Sequence, residues 1–374
     1  MESTLQKVKK GVFHPLKITK KQQLTKSTFF LELEIPKELS SNFEYQAGQY
    51  VTLEYEHNGE KYLNDYSMTG VSGEPFLTLG IKVNDEKSST NSLIEQHPVG
   101  SYLEVSEPKG RFTIVSKPHE FRTIVGFAAG IGITPILSHF KTILKTEPRT
   151  RLFLFYGNKT RKDVAFKEEI DALEEENRER FSVHYFYSRE KLGNAFLEGR
   201  LDAKKVHLII NQVMMIDDTD EESTLWDAVD HVLICGKGEM IKSIARACFE
   251  NGIPKKQIHF ELFESYNEDI YPVEVTLPYI SPVQVRFLYN SVWHETELES
   301  NKNKLLQSLS VQKFELPFSC KSGICGSCQC KLVEGEVELL ENEYLTKSEE
   351  SRGQILACMS YALKGKIVLD FDQL

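Results

Sequence analysis

The rhythm of hydrophobic and polar positions changes twice along the chain, and each change marks a different kind of element. Up to about residue 118, apolar and polar residues alternate in short runs at 28–35, 50–55, 76–83 and 102–105. A period of two is that of a strand with one face in a core. Ala47-Gly48, Asn58-Gly59 and Ser72-Gly73 supply turns between the runs, so the prediction is an antiparallel β-barrel. From about residue 119, strand-like runs at 122–128, 151–156, 181–187, 231–235 and 257–263 alternate with helical stretches. Those stretches begin near Pro135, Val164, Leu201 and Met240. Such alternation predicts an α/β domain, a parallel sheet covered by helices. The polar residues that follow read as a linker over 264–271. Beyond it, strands at 273–277 and 283–289, a short helix near 304–309 and a closing strand at 366–371 predict a small α+β unit. The expected organisation is multidomain: 1–118, 119–263, the linker 264–271 and 272–374.

Length agrees, since 374 residues exceed one ordinary domain. The N-terminus has no apolar segment of the signal-peptide kind, and no apolar run approaches membrane-spanning length. The expectation is a cytoplasmic protein with no membrane insertion. A net charge of -10 argues against a nucleic-acid partner, because binding phosphate needs a basic footprint. The charge is uneven. Seven acidic residues (Glu334, Glu336, Glu338, Glu341, Glu343, Glu349 and Glu350) stand against three basic ones between Lys331 and Arg352. The run is either a solvated face or a surface that steers a basic partner protein.

The chemistry is most specific in Phe318-Ser319-Cys320-Lys321-Ser322-Gly323-Ile324-Cys325-Gly326-Ser327-Cys328-Gln329-Cys330. Cys320, Cys325 and Cys328 have C-x4-C-x2-C spacing, and Cys358 supplies a fourth thiol further on. That is the plant-type spacing for a [2Fe–2S] cluster, whose two irons take four thiolates. Gly323 and Gly326 permit positive φ where the loop folds around inorganic sulfide. Small Ser322 and Ser327 let backbone N–H groups face sulfur. A four-cysteine zinc site is the nearest rival, but such sites usually present two short pairs and this chain has one. A disulfide framework would need an oxidising compartment. Cys330 reads as a small buried strand residue.

Gly130-Ile131-Gly132-Ile133-Thr134-Pro135 follows an apolar strand and opens a helix. Glycines there let backbone approach a pyrophosphate, and the helix start offers N–H groups and a positive dipole end. One G-x-G is weak evidence alone. Its weight rises because Cys235-Gly236-Lys237-Gly238 ends a later parallel strand and opens another helix, and nucleotides bind at the carboxyl ends of adjacent parallel strands.

With Tyr156-Gly157-Asn158 and Ser188-Arg189-Glu190, these segments resemble the nucleotide domain of ferredoxin–NADP reductase-type flavoproteins. The resemblance implies that Gly130, Gly132, Thr134 and Pro135 cradle the pyrophosphate, with Asn158 at the same site. It places Cys235 and Gly236 beside the nicotinamide, with Met240 loosely matching; Lys237 stands where the family usually has Pro. Ser188 and Arg189 match the pair that grips the adenosine 2′-phosphate, which favours NADPH over NADH, since an Arg fork suits phosphate. Glu261 and Phe263 match an acidic–aromatic pair that some relatives set beside the flavin; a buried final strand is the other reading.

In the barrel half, Tyr66-Ser67 resembles the R-x-Y-S flavin motif. It implies a Tyr66 ring flat on the isoalloxazine and a Ser67 hydroxyl near its N5 atom. Lys82-Val83 resembles the strand beside the flavin, and Ser88-Ser89-Thr90 the turn that holds its phosphates. Gln46-Ala47-Gly48-Gln49-Tyr50 and Pro108-Lys109-Gly110-Arg111-Phe112 complete the likeness. Two positions depart from it. The motif Arg is Asn64, and the glycine before the phosphate turn falls on Lys87. A lost charge-assisted phosphate contact costs about 1.5–3 kcal/mol, to be offset by Lys61, Lys87 or Arg111. The choice of FAD over FMN turns on this point.

Taken whole, the order of parts resembles the reductase component of multicomponent oxygenases, in particular the phenylacetyl-CoA epoxidase type. It implies FAD, a [2Fe–2S] cluster in a ferredoxin-like β-grasp domain, and NADPH or NADH as electron source. It also implies a separate acceptor protein: an oxygenase, hydroxylase, epoxidase or desaturase. Two alternatives stand beside it, a general ferredoxin or flavodoxin–NADP reductase and a non-catalytic redox sensor.

Overall fold

The computed structural model describes residues 12–85, 87–212, 229–263, 266, 268–271, 275–314, 316–318, 321–323, 326–342 and 344–373. The chain divides between residues 264 and 265 into two compact units.

The first unit begins with β1 (Phe13–Thr25), β2 (Thr28–Glu34), β3 (Tyr50–His57), β4 (Glu60–Ser67), β5 (Phe76–Lys82), α1 (Ser89–Gln96) and β6 (Tyr102–Ser106). The strands make a six-stranded sheet in the order β4-β3-β6-β1-β2-β5, with every pair antiparallel. Its two edges meet where Met68 bridges Leu79 and the Thr69 N–H donates to the Thr78 carbonyl at 2.9 Å. The sheet thereby curls into the expected barrel. Alternate positions point inward: Leu16 and Ile18, Leu31 and Leu33, Val51 and Leu53, Leu77, Leu79 and Ile81, and Leu103 and Val105 form one buried core. β1 escapes the hydrophobic pattern because most of its outward positions are Lys and Gln and only Leu16 and Ile18 are fully covered.

The unit continues with β7 (Thr123–Ala129), α2 (Ile133–Thr146), β8 (Arg151–Asn158), α3 (Lys167–Glu176), β9 (Phe181–Tyr187), α4 (Ala203–Gln212), β10 (His231–Gly236), α5 (Gly238–Glu250) and β11 (Ile258–Leu262). The sheet order is β11-β10-β7-β8-β9, all parallel. β7 is buried along nearly its whole length, as a strand covered on both faces must be. The chain leaves β7 toward β8 and β9 on one side, then returns to lay β10 on the other. That reversal is a topological switch point, where the carboxyl ends of β7 and β10 open a crevice for a nucleotide.

The barrel and the parallel sheet are joined by buried hydrogen bonds. The Ser138 hydroxyl donates to the Gly70 carbonyl at 2.8 Å, and His139 Nε2 lies 2.8 Å from the Phe112 carbonyl. Burial holds the His139 imidazole down at about 4, so at neutral pH its Nε2 carries the proton that this carbonyl accepts. Below β7, Arg122 forks onto Glu147, with both side chains almost completely buried.

The second unit contains β12 (Val283–Tyr289), β13 (Val292–Leu298), α6 (Leu305–Val311), β14 (Gln329–Glu334), β15 (Val337–Leu339), α7 (Lys347–Ser351), β16 (Gln354–Leu356), β17 (Ser360–Ala362) and β18 (Lys366–Asp370). Five strands form a mixed sheet, β13-β12-β18-β14-β16, in which β12 runs parallel to β18. Leu305, Leu306 and Leu309 of α6 pack with Val283, Val285, Phe287, Ile367 and Leu369 of the sheet. This is the β-grasp arrangement expected of the C-terminal region.

The strand expected at 273–277 differs. Residues 275–277 are not in a strand, and 273–274 lie outside the described residues. The hairpin partner of β12 is instead β13, an edge strand whose positions are mostly exposed and polar, so it carries little hydrophobic pattern. The stretch expected as a linker also differs. Ile270 and Tyr271 are buried, and Asp269 is ion-paired with Lys304 at 2.8 Å.

Candidate active site

The crevice at the ends of β7 and β10 is assembled by close backbone approach. A Cβ on Gly132 would stand 2.3 Å from the Cys235 carbonyl oxygen, so only glycine allows the two strand-end loops to meet. Gly130 adopts φ +55, and its carbonyl accepts the Tyr156 hydroxyl at 2.8 Å. Asn158 is buried at the end of the same strand, β8. The Thr134 hydroxyl donates to the Ile131 carbonyl at 3.0 Å and so tightens the first turn of α2, where Pro135 is buried. The turn is open above Gly130: the nearest atom to a Cβ built there is Lys82 Nζ, 3.9 Å away. A cation from the barrel strand β5 therefore overlooks a loop whose amides and helix start suit an anion.

Three residues far apart in the chain converge beside this crevice. The Ser67 hydroxyl, at the end of β4, donates to Glu261 Oε2 at 3.3 Å. Glu261 of β11 is paired in register with Cys235 of β10. Burial pushes the Glu261 carboxyl up to about 8, against the opposing hydrogen bond from Ser67. It is accordingly protonated at neutral pH. Burial, with Glu261 adding to it, also raises the Cys235 thiol well above its ordinary range, so Cys235 is a neutral thiol and not a nucleophile. Met240 of α5 packs over Gly236. Phe263 is 43% exposed, so only the acidic half of the expected Glu261–Phe263 pair is buried here.

The other residues matched to the flavin motif lie at the end of β4, just after β5 and at the start of α1. Burial drives the Tyr66 hydroxyl well above its ordinary range. Val83 is buried just beyond β5. Ser88 caps α1, its hydroxyl accepting the Asn91 N–H at 3.2 Å, with Ser89 and Thr90 in the first turn. Asn64, standing where the motif has Arg, donates to the Tyr55 hydroxyl at 2.7 Å, and that hydroxyl donates to Ser89 Oγ at 3.2 Å. Asn64 is thus linked to the turn at 88–90 through neutral groups. Lys61 is committed to Glu54 at 2.5 Å. The hydroxyls and helix-start amides of 88–90, with Ser67 at the far end, fit a flavin nucleotide.

Ser188 and Arg189 are exposed just beyond β9. Their N–H groups donate to the carbonyls of Asn158 and Lys159, each at 2.9 Å, which sets them beside the end of β8. The sequence does not point to Arg161, which pairs with Glu190 at 3.2 Å next to them.

In the second unit, Cys328 and Cys358 are buried, and the Cys358 N–H points to Cys328 Sγ at 3.4 Å. Cys320 and Cys325 lie outside the described residues. Gly323 and Gly326 have φ +74 and +67. A Cβ on Gly323 would stand 2.6 Å from the Glu341 carbonyl oxygen, so this loop closes only with glycine there. Two buried cysteines, one of whose sulfurs receives a backbone N–H, fit an iron–sulfur cluster. Cys330, buried on β14, pairs in register with Ile355. At least four of the seven acidic residues in the run have partners within the domain. Glu334 pairs with Lys366 at 2.8 Å, Glu336 with Lys364 at 3.4 Å, Glu349 caps Thr346 and Glu350 bonds Asn342.

Models of three domain families match the chain: the oxidoreductase FAD-binding domain over 15–114, the oxidoreductase NAD-binding domain over 127–246 and the 2Fe-2S iron-sulfur cluster binding domain over 288–363. The chain is thus an oxidoreductase that joins FAD-binding, NAD-binding and 2Fe-2S domains in a ferredoxin–NADP reductase-like architecture. Among particular proteins, it is 27% identical to one of the subunits of 1,2-phenylacetyl-CoA epoxidase from Escherichia coli K12, over 96% of this chain and 98% of that one. It is 28% identical to the ferredoxin reductase component of 3-ketosteroid-9-alpha-monooxygenase from Rhodococcus rhodochrous, over 93% of each. The solved structure of phthalate dioxygenase reductase shares the fold, with a TM-score of 0.50 and 23% identity over 96% of this chain and 98% of that one. Among the described residues, no helix is long and apolar enough to cross a membrane.

Proposed function

We propose that this chain is the reductase component of a multicomponent oxygenase, passing electrons from NADPH through FAD and its [2Fe–2S] domain to a separate acceptor protein. The observation that carries the reading is the meeting of Ser67, Cys235 and Glu261 at the switch-point crevice, in a chain that also carries a 2Fe-2S domain. A nicotinamide gives up two electrons together and a [2Fe–2S] cluster takes one, and a flavin is the group that converts between them.

The protein's own residues bind and orient. Gly130, Gly132, Thr134 and Pro135 seat the dinucleotide phosphates with Lys82 above them, and Asn158 and Gly236 border the same crevice. Ser188 and Arg189 hold the 2′-phosphate. Tyr66, Ser67, Val83, Ser88, Ser89 and Thr90 hold the flavin. Cys235 stays a neutral thiol beside the nicotinamide, and Glu261 holds a proton at its carboxyl against Ser67. Cys320, Cys325, Cys328 and Cys358 hold the cluster. The corresponding domains are 1–118, 119–263 and a C-terminal domain that takes in Asp269, Ile270 and Tyr271, and the compartment is the cytoplasm, where thiols stay reduced. The acceptor is an oxygenase, hydroxylase, epoxidase or desaturase.

Steady turnover tests the proposal. Purified protein should reduce cytochrome c with NADPH for many cycles; a single stoichiometric reduction would sink the enzyme reading and favour a sensor. Arg189→Ala should lower kcat/KM for NADPH by about tenfold to a hundredfold, the loss of a charged hydrogen bond, and leave NADH nearly unchanged. Equal losses with both nucleotides would mean that Arg189 does not read the phosphate.

A further inference from the structure

A lysine is buried in the second unit without belonging to the cysteine loop. Lys304, just before α6, has a side chain only 4% exposed and pairs with Asp269 at 2.8 Å. Its Nζ also lies 3.6 Å from Met359 Sδ. Met359 follows Cys358 in the chain, and its Cγ would stand 3.1 Å from a Cβ on Gly323 of the cysteine loop. Lys304 is therefore one side chain away from that loop. α6 is held to the same strand end, since the Leu306 N–H donates to the Ala357 carbonyl at 3.0 Å. A lysine is rarely covered this fully unless it is paired, and a well-packed apolar residue would fill the site without the cost of desolvating a charge.

The segment that brings in Asp269 is tied to the loop a second time. Lys321 Nζ donates to the Tyr266 carbonyl at 2.8 Å and lies over the Phe318 ring at 4.3 Å.

We infer that Lys304 and Asp269 are a paired charge that sets the reduction potential of the [2Fe–2S] cluster. The inference rests on the cluster reading of Cys320, Cys325, Cys328 and Cys358. Reduction adds one negative charge at the cluster, whose potential responds to nearby charge and solvent exposure. A covered cation one residue away favours the reduced form, because little water screens it. Asp269 opposes it more weakly, being 36% exposed. The two residues consequently act with opposite signs.

The test is a potentiometric titration of the full-length protein, reading the electron paramagnetic resonance signal of the reduced cluster without nicotinamide or acceptor. Lys304→Met should disfavour reduction by about tenfold, equivalent to 59 mV for one electron. Asp269→Asn should shift the potential upward by less, and Lys304→Arg should keep it near the wild type. A purely structural role predicts no such sign reversal, so equal potentials, or shifts in one direction for both Lys304→Met and Asp269→Asn, overturn the inference. Should Lys304→Met fail to retain the cluster, the upward shift in Asp269→Asn and the rescue by Lys304→Arg decide it. A wild-type protein without a [2Fe–2S] signal would instead refute the cluster reading, and this inference with it.

Discussion

Cys328→Ser is expected to yield a folded protein that has lost its iron and acid-labile sulfide but still oxidises NADPH with ferricyanide. Cys328 is buried, and its sulfur receives the Cys358 N–H. A serine hydroxyl fits the same volume but does not replace a soft thiolate on iron at neutral pH. The first unit, 11–264, has its own barrel core and its own α/β core, so the loss should stop at the second. Cytochrome c reduction should fall to a small residue while ferricyanide reduction stays near the wild-type rate. Iron and sulfide assays and both activities, measured on one preparation, check this. If ferricyanide reduction also vanished while circular dichroism stayed native, the separation of function between the units would be wrong.

Arg122→Leu should produce the largest loss of stability. Arg122 and Glu147 have side chains 1% and 0% exposed, and the guanidinium reaches both carboxylate oxygens, at 2.5 and 2.7 Å. The Ser116 hydroxyl at 3.0 Å, the Lys117 N–H at 3.0 Å and the Thr150 hydroxyl at 2.7 Å complete the shell around Glu147. Burial alone would raise the Glu147 carboxyl, but Arg122, Thr150 and Lys117 outweigh it and hold it low. Removing the guanidinium strands a buried carboxylate, which costs about 3–5 kcal/mol. In a unit of this size that lowers Tm by on the order of 10 °C. The double variant Arg122→Leu, Glu147→Leu should recover much of the loss, because it leaves no unpaired charge. Thermal denaturation of the two variants decides the matter. If the double variant is no more stable than Arg122→Leu, the charge is not what the site depends on.

How far the sequence can be read follows from how local each feature is. β7 and β8 carry dense apolar runs, and their strand character is plain from residue pattern. β1 and β13 are not, because their outward faces are lined with Lys, Gln, Glu and Thr and few of their positions are covered. Glu261 is matched only by family likeness and reads equally well as a core strand. Its proton-holding state appears only when the tertiary fold buries it, since burial raises the carboxyl and the Ser67 hydrogen bond opposes that. The acidic run after the cysteine loop has the composition of a docking surface, but β18 and the turn before it supply Lys366 and Lys364 to pair with it.

By itself, then, the sequence determined the ligand chemistry of the C-terminal loop and the strand–turn–helix of the nucleotide site. Those depend on residues a few positions apart, whose spacing sets what they can reach. Tertiary structure alone decided which strand ends meet, that Lys82 overlooks Gly130, and that Lys304 lies buried against Met359 with Asp269 as its partner. Contacts across tens or hundreds of positions follow from strand order and close packing, and no local period encodes them.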